Sequence, residues 1–289
     1  MKTSKLIIGA LSAFVFSMSA SASIVDLFTD PAGGQVVSDD TNGADADNAA
    51  NFSESGSFAS IIGGYRDLKA DALSGASDTG ACDTGDDCTV LRVLNGRLTF
   101  NNDTGVTGTG IVQWDGQDNS SELNHGGLNN ENLYTQEGCG EGCDAFVFTV
   151  YQSDQDFPFL IGIYTDENTF TEFLLAANAA NEDEGTDYTS VLDFAFFENA
   201  QALGLCDAAP GDLPAGVLDV NCGTSGDADL SNVGAMQVVL NAGDAPTVAV
   251  DLEIGSITKT GVPEPGMIAL LGLGFAAGGL VRARRRKSS

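Results

Sequence analysis

Between Ser23 and Gly261, apolar and polar residues alternate over stretches of five to nine, and each stretch stops at Gly, Asn or Asp. Side chains of a strand point alternately to its two faces, so a period of two specifies strands with one face buried. Residues 247–260 show this most clearly: Val248, Val250, Leu252 and Ile254 fall on one face, Ala249, Asp251 and Glu253 on the other. Further strands are expected at 23–28, 58–68, 110–114, 145–152, 157–164, 169–176, 191–197 and 233–241. In 145–152, Phe146, Phe148 and Val150 alternate with Val147, Thr149 and Tyr151, so both faces are largely apolar and the strand belongs at the centre of its sheet. Residues 169–178 fit a short helix as well, because Phe173, Leu174 and Ala177 sit at helical spacing.

One turn also sets a register. Asn95-Gly96 supplies the two positive-φ residues of a type I′ hairpin within 89–100. Counting back from it puts Val93 opposite Leu98 and Leu91 opposite Phe100 on one face, with Arg92 opposite Thr99 on the other, so that apolar residues meet apolar ones. With this hairpin the chain holds about ten to twelve strands in roughly 240 residues, which predicts an all-β, jelly-roll-like antiparallel β-sandwich. No internal repeat points to a propeller or solenoid. The acidic, Asn-rich stretches 38–51, 115–132 and 182–187 read as surface loops.

Both ends differ from this body. Residues 1–22 begin with Lys2 and Lys5, continue through an apolar run from Leu6 to Met18, and end in Ala20-Ser21-Ala22. That is the plan of a secretory signal peptide, with signal peptidase expected to cut after Ala22 and Ala20 serving as the other small residue of the site. The apolar run would rise only about 20 Å as a helix, short of a hydrocarbon core of about 30 Å.

The last segment, 262–289, has three parts in a row: Val262-Pro263-Glu264-Pro265, an uncharged stretch from Met267 to Val281, and the basic cluster Arg282, Arg284, Arg285, Arg286 and Lys287. The prolines forbid helix or ladder pairing and present one carboxylate on an extended strip that a protease can grip. The apolar stretch spans about 22 Å as a helix, a poor permanent span and a serviceable temporary anchor. The cations hold the C-terminus on the cytoplasmic side of the inner membrane. These residues resemble the tails of PEP-CTERM exported proteins. The resemblance implies recognition by an exosortase, a membrane-embedded cysteine transpeptidase-like enzyme, and cleavage near Pro263-Glu264-Pro265. It also implies a Gram-negative host, commonly one that makes exopolysaccharide, and release or transfer of the 23–261 domain to the cell surface.

The body's charge excludes one class of partner. Its basic residues are Arg66, Lys69, Arg92, Arg97 and Lys259, against all but one of the 41 Asp and Glu residues of the chain. Such a field repels phosphate backbones, so nucleic acid is not expected as a partner. Six cysteines come in close pairs, Cys82 and Cys88, Cys139 and Cys143, Cys206 and Cys222. In an oxidising compartment three local disulfides are the simplest of the fifteen connectivities, and a thiolate metal site is disfavoured with His125 as the one histidine.

Catalytic residues are not expected. His125 lies in a loop without a nucleophile motif such as G-x-S-x-G, and carboxylates are too abundant for any one pair to be informative. No cofactor or metal ligand is assigned. A structural calcium would draw on loops such as 40–47 or 226–229, neither of which fits an EF-hand. Trp114, at a strand end with Tyr134 and Tyr164 behind it, is the candidate platform for a glycan. The expected function is a non-enzymatic cell-surface or extracellular-matrix protein that associates with exopolysaccharide. A calcium-dependent carbohydrate-binding module is the alternative, and a secreted glycoside hydrolase the third reading.

Overall fold

The structure, a computed structural model, describes residues 23–40, 52–57, 59–76, 82, 87–134, 142–243 and 246–261. Ala20 and Ala22 of the leader, Val262, Pro263, Glu264 and Pro265, and the basic residues Arg282, Arg284, Arg285, Arg286 and Lys287 lie outside the described residues. Among the described residues no helix is long and apolar enough to cross a membrane.

Sixteen strands form among the described residues, and every strand pair in the two sheets is antiparallel. The first sheet contains β1 (Ser23–Asp26), β2 (Gln35–Asp39), β5 (Thr89–Leu94), β6 (Arg97–Asn102), β8 (Ala145–Ser153), β11 (Ala180–Asn181), β12 (Tyr188–Asp193), β15 (Asp251–Gly255) and β16 (Ile257–Thr260). The second contains β3 (Phe52–Gly56), β4 (Tyr65–Ser74), β7 (Thr107–Trp114), β9 (Phe157–Tyr164), β10 (Phe170–Ala177), β13 (Val217–Cys222) and β14 (Ala235–Leu240), in the order β13-β10-β9-β14-β7-β4-β3. The fold is thus a two-sheet antiparallel sandwich.

The hairpin forms as its turn dictates. β5 and β6 pair Val93 with Leu98, Leu91 with Phe100 and Arg92 with Thr99, and Asn95 and Gly96 take φ of 55° and 81°. β8 is central, with β15 and β16 on one side and β11 and β12 on the other. One row of the core runs straight across the second sheet, Leu68 to Val112, Val238, Ile161, Phe173 and Val220, and all six are buried. It meets Leu91, Phe100, Phe146, Phe148, Leu252 and Ile254 of the first sheet in one apolar cluster. Burying each of the larger side chains contributes about 1.5–3 kcal/mol.

The strand expected at 169–176 forms and the helical spacing in 169–178 goes unused, because β10 is laddered on both sides by β9 and β13, and its alternate residues Phe173, Leu175 and Ala177 are the buried ones. Other elements depart from the sequence reading, each for a physical reason. The strand expected at 191–197 ends at Asp193, whose carboxylate accepts a hydrogen bond from Ala195 N–H and caps a short helix, α1 (Phe194–Glu198). That turn buries Phe194 and Phe197 together against Phe146. The strand expected at 58–68 starts later, at Tyr65, because Gly63 and Gly64 take positive φ in the preceding 3-10 turn. In the expected 247–260 strand the register against β8 shifts between Glu253 and Ile254 and the strand is interrupted at Ser256, so Leu252 and Ile254 are followed inward by Ile257 and Lys259, while Val248, ahead of β15, is exposed. β2 and β3 were not legible as strands, since Gln35–Asp39 and Phe52–Gly56 carry too few apolar residues to alternate, and β13 was missed although Leu218, Val220 and Cys222 alternate in Val217–Cys222.

A charged network ties the two sheets together. The fully buried Arg66 of β4 donates through Nη1 to Oδ1 and Oδ2 of Asp26 in β1, both at 2.8 Å, and through Nε to Gln35 Oε1 at 3.0 Å. Asp26 also accepts from Phe28 N–H at 2.8 Å and from Trp114 Nε1–H at 2.9 Å. Burial pushes the Asp26 carboxyl up, and Arg66 and these two donors oppose it. Trp114 is therefore not a surface platform. At 1 % exposure its ring fills the core, because its one donor is the partner that a buried carboxylate needs.

Candidate functional site

The residue after Arg66 faces the other way. Asp67 stands on the outer face of the second sheet, in a row that the strand register draws across all seven strands: Glu54, Asp67, Gln113, Gln237, Gly162, Glu172 and Asn221. At the middle of the row the Tyr164 hydroxyl lies over Gly162, where a Cβ would come within 2.5 Å of it. That hydroxyl donates to Glu172, whose other oxygen accepts from Asn221 Nδ2 at 2.7 Å. Burial first, and then Glu172, push the Tyr164 phenol well above its ordinary value. His125 packs edge-on against the Tyr164 ring at 5.1 Å, so the one histidine of the chain is a packing partner here.

At the β3 end of the row the carboxylates crowd. Glu54, Asp67 and Asp118 each bring an oxygen within 4.8 Å of the other two. Glu54 Oε2 accepts from the N–H groups of Asp118 and Asn119, both at 2.8 Å, which lays the start of the 115–132 loop over this end of the sheet. Asp118 Oδ1 accepts from Ser120 N–H, and Asp115 Oδ2 from Asn124 N–H at 2.8 Å. Asp67, at 1 % exposure, is different: neither of its oxygens has a hydrogen-bond partner among the described residues, and Asp115 Oδ1 has none either. Asp67 and Asp115 lie within hydrogen-bonding reach of each other, a contact that becomes a bond only when one holds a proton. Burial, and then the charges of Asp115 and Glu54, drive Asp67 far above the ordinary carboxylate range. Carboxyls in direct contact are closer than the 5–5.5 Å or 6.5–9.5 Å, roughly, at which glycosidases hold their pairs.

The loops expected to hold calcium do not form this cluster. Residues 41–47 lie outside the described residues. Asp227 accepts from Gln201 N–H, 26 residues away, and ties two loops together, while Asp229 accepts from Ser231 and Asn232 within its own turn. Sequence reasoning missed Asp67 because an acidic residue on a strand's polar face reads as solvated, and missed Glu54 because β3 was not visible. Only Asp115 and Asp118 fall in a stretch already singled out as acidic.

Two disulfides are formed as the spacing suggested, Cys82–Cys88 and Cys206–Cys222. Cys143 is also disulfide-bonded, while Cys139 lies outside the described residues. Cys206, Cys222 and Asp227 cluster, but sulfurs joined to each other are not thiolate ligands. Tyr134, the other aromatic placed behind Trp114, donates instead to Glu198 and packs on Phe194.

One further concavity opens where the sheets splay at the β10 and β12 ends. It is a cleft of about 400 Å³ lined by Phe148, Phe159, Phe173, Tyr188, Val191 and Phe196, among others. Val191 and Phe196 are exposed at its rim, at 54 % and 44 %.

Residues 261–287 match the PEP-CTERM protein-sorting motif. The match makes this an exported protein that an exosortase sorts to the outside of the cell. No curated protein matches the chain. Among solved structures it is similar to a family 11 carbohydrate-binding module from Clostridium thermocellum in complex with a β-1,3-1,4-mixed-linked tetrasaccharide, at 12 % identity and a TM-score of 0.32 over 80 % of this chain and 97 % of that one. It is also similar to the family 11 module of a cellulosomal cellulase of the same organism, at 11 % identity and a TM-score of 0.31 over 77 % and 96 %.

Proposed function

We propose, for a chain that carries a PEP-CTERM sorting motif, that it is a non-catalytic protein of the cell surface or extracellular matrix of a Gram-negative bacterium. The leader is removed by signal peptidase after Ala22. The domain folds outside the inner membrane while the C-terminal apolar stretch and its basic foot hold it there, and exosortase then cuts near Pro263-Glu264-Pro265. The observation that carries this reading is the motif match over 261–287. The bridges Cys82–Cys88 and Cys206–Cys222 support it, because such local staples persist in an oxidising compartment. The non-catalytic part is supported by the packed role of His125.

Intact-mass analysis of the protein recovered from the host's outer surface tests the reading. The expected species begins at Ser23, ends near Val262 and lacks three pairs of hydrogens. A cytoplasmic species with both ends and free thiols would overturn it.

A second reading, binding of matrix polysaccharide without turnover, is favoured by the cleft between the sheets. Its volume of about 400 Å³ lies in the range of ligand sites, and Tyr188 and the exposed Phe196 offer aromatic faces for sugar rings. Retention on immobilised host exopolysaccharide, lost in Phe196→Ala, supports it; retention equal to that of an unrelated acidic protein counts against it.

A further inference from the structure

We infer that Glu54, Asp67 and Asp118 bind one divalent cation, Ca²⁺ in preference to Mg²⁺, with Asp115 as a fourth carboxylate behind Asp67. The inference stands on this cluster alone and does not depend on the export route or on a glycan ligand.

The spacing suits the ion. Two oxygens that both lie about 2.4 Å from a Ca²⁺ can be no more than about 4.8 Å apart, and one oxygen from each of the three residues meets that limit with the others. The unusual feature is Asp67. At 1 % exposure and with no N–H or hydroxyl donor on either oxygen among the described residues, Asp67 has two ways to be satisfied: it holds a proton shared with Asp115, or it ionises against a cation that takes that proton's place. Its neighbours make matters worse, since Asp115, Glu54 and Asp118 are all acidic. Arg66, the preceding residue, points to the opposite face and is committed to Asp26 and Gln35, and Lys69, two residues along the same face, pairs with Asp71 at 3.4 Å.

The other carboxylates are held ready. Glu54, Asp118 and Asp115 each use one oxygen to accept backbone N–H groups, which fixes the group and leaves its second oxygen for the ion. The donor set is all carboxylate, on an edge strand, an inner strand and an exposed loop. Ca²⁺ accepts such irregular and bidentate oxygen cages, whereas Mg²⁺ demands octahedral geometry and keeps its water. Binding would also have a mechanical effect. β3 is laddered to β4 alone among the described strands, and the ion would pin this edge strand to β4 and to the loop above it.

The test uses the full-length protein with its disulfides intact, purified in mild detergent, freed of metal with EDTA, and titrated with CaCl₂ or MgCl₂. Calorimetry is expected to show one site saturating with Ca²⁺, and saturation to raise the melting temperature by about 5 °C, with a smaller rise for Mg²⁺. Asp67→Asn, nearly isosteric, should weaken Ca²⁺ binding at least tenfold. Asp118→Asn, at an exposed position that does not threaten folding, should weaken it several-fold, and Asp219→Asn, exposed and remote on β13, should leave it unchanged. Absence of a saturable Ca²⁺ site in the wild type would overturn the inference. So would an undiminished site in Asp118→Asn, even if Asp67→Asn fails to fold, since binding would then belong to the acidic surface at large.

Discussion

Arg66 and Asp67 are consecutive residues of one strand, both buried and both ionisable, and they meet opposite fates. Arg66 points between the sheets, where Asp26, Gln35 and the backbone of Asp30 take its donors, so its charge is matched atom by atom. Asp67 points outward under the 115–132 loop, where its neighbours are carboxylates and its oxygens are unmatched among the described residues. The difference teaches how to sort buried charge in this molecule. The matched group clamps one sheet to the other and belongs to the fold, while the unmatched one marks a place where something from outside completes the structure.

Breaking the matched side should have the larger effect. Asp26→Ala strands the Arg66 guanidinium in the core and leaves Trp114 Nε1 without its acceptor, and the expected loss is about 3–5 kcal/mol. Urea unfolding would read this as a lower midpoint, with a melting temperature down by roughly 10 °C. A loss under about 1 kcal/mol would mean that water reaches Arg66 and that the clamp is weak.

Lys259 provides an intermediate case, a fully buried cation whose pKa burial lowers to about 8, with Glu131 opposing. The folded state holds this proton less tightly than the unfolded chain does, so the unfolded chain binds more protons above pH 8 and stability rises with pH there. Lys259 alone contributes a gain of about 2 kcal/mol between about pH 8 and 9.5, and Asp67, whose raised carboxyl gives up its proton in the same window, opposes it with a loss of similar size. At higher pH Tyr134 and Tyr164, whose phenols burial raises, act in the opposite sense. Lys259→Met should leave the Asp67 effect unopposed, so that stability falls with pH over this window by about 2 kcal/mol more than in wild type, which parallel denaturation series at the two pH values would measure.

The smallest effect, and the one of opposite sign, concerns the unmatched side. In EDTA, Asp67→Asn removes a repelled carboxylate and offers Asp115 an amide donor, so this variant should be more stable than wild type by about 1 kcal/mol. A destabilisation under those conditions would show that Asp67 has a donor after all.

The local half of this architecture was written along the chain. The Asn95-Gly96 turn and the register it sets, the period-two pattern of β8, β9 and β14, and the close cysteine pairs depend on neighbours within a few residues, and such neighbours are visible in a one-dimensional string. Cross-sheet facts were not. Gln35–Asp39 and Phe52–Gly56 are strands because partners across the sheet accept their backbone hydrogen bonds, whatever their weak alternation. Residues 169–178 carried helical and strand spacing together, and only the ladders on both sides decided for strand.

The sites divide along the same line. The sorting tail was legible because an enzyme reads it as a linear segment, Pro263-Glu264-Pro265 followed by an apolar stretch and a basic end, and the match at 261–287 agrees. The burial of Trp114, the pairing of Arg66 with Asp26 over forty positions, and the meeting of Glu54, Asp67, Asp115 and Asp118 needed the tertiary structure. Electrostatic fate depends on which charges end up within a few ångströms and on how much water is left between them, and both are settled only when distant strands are laid side by side.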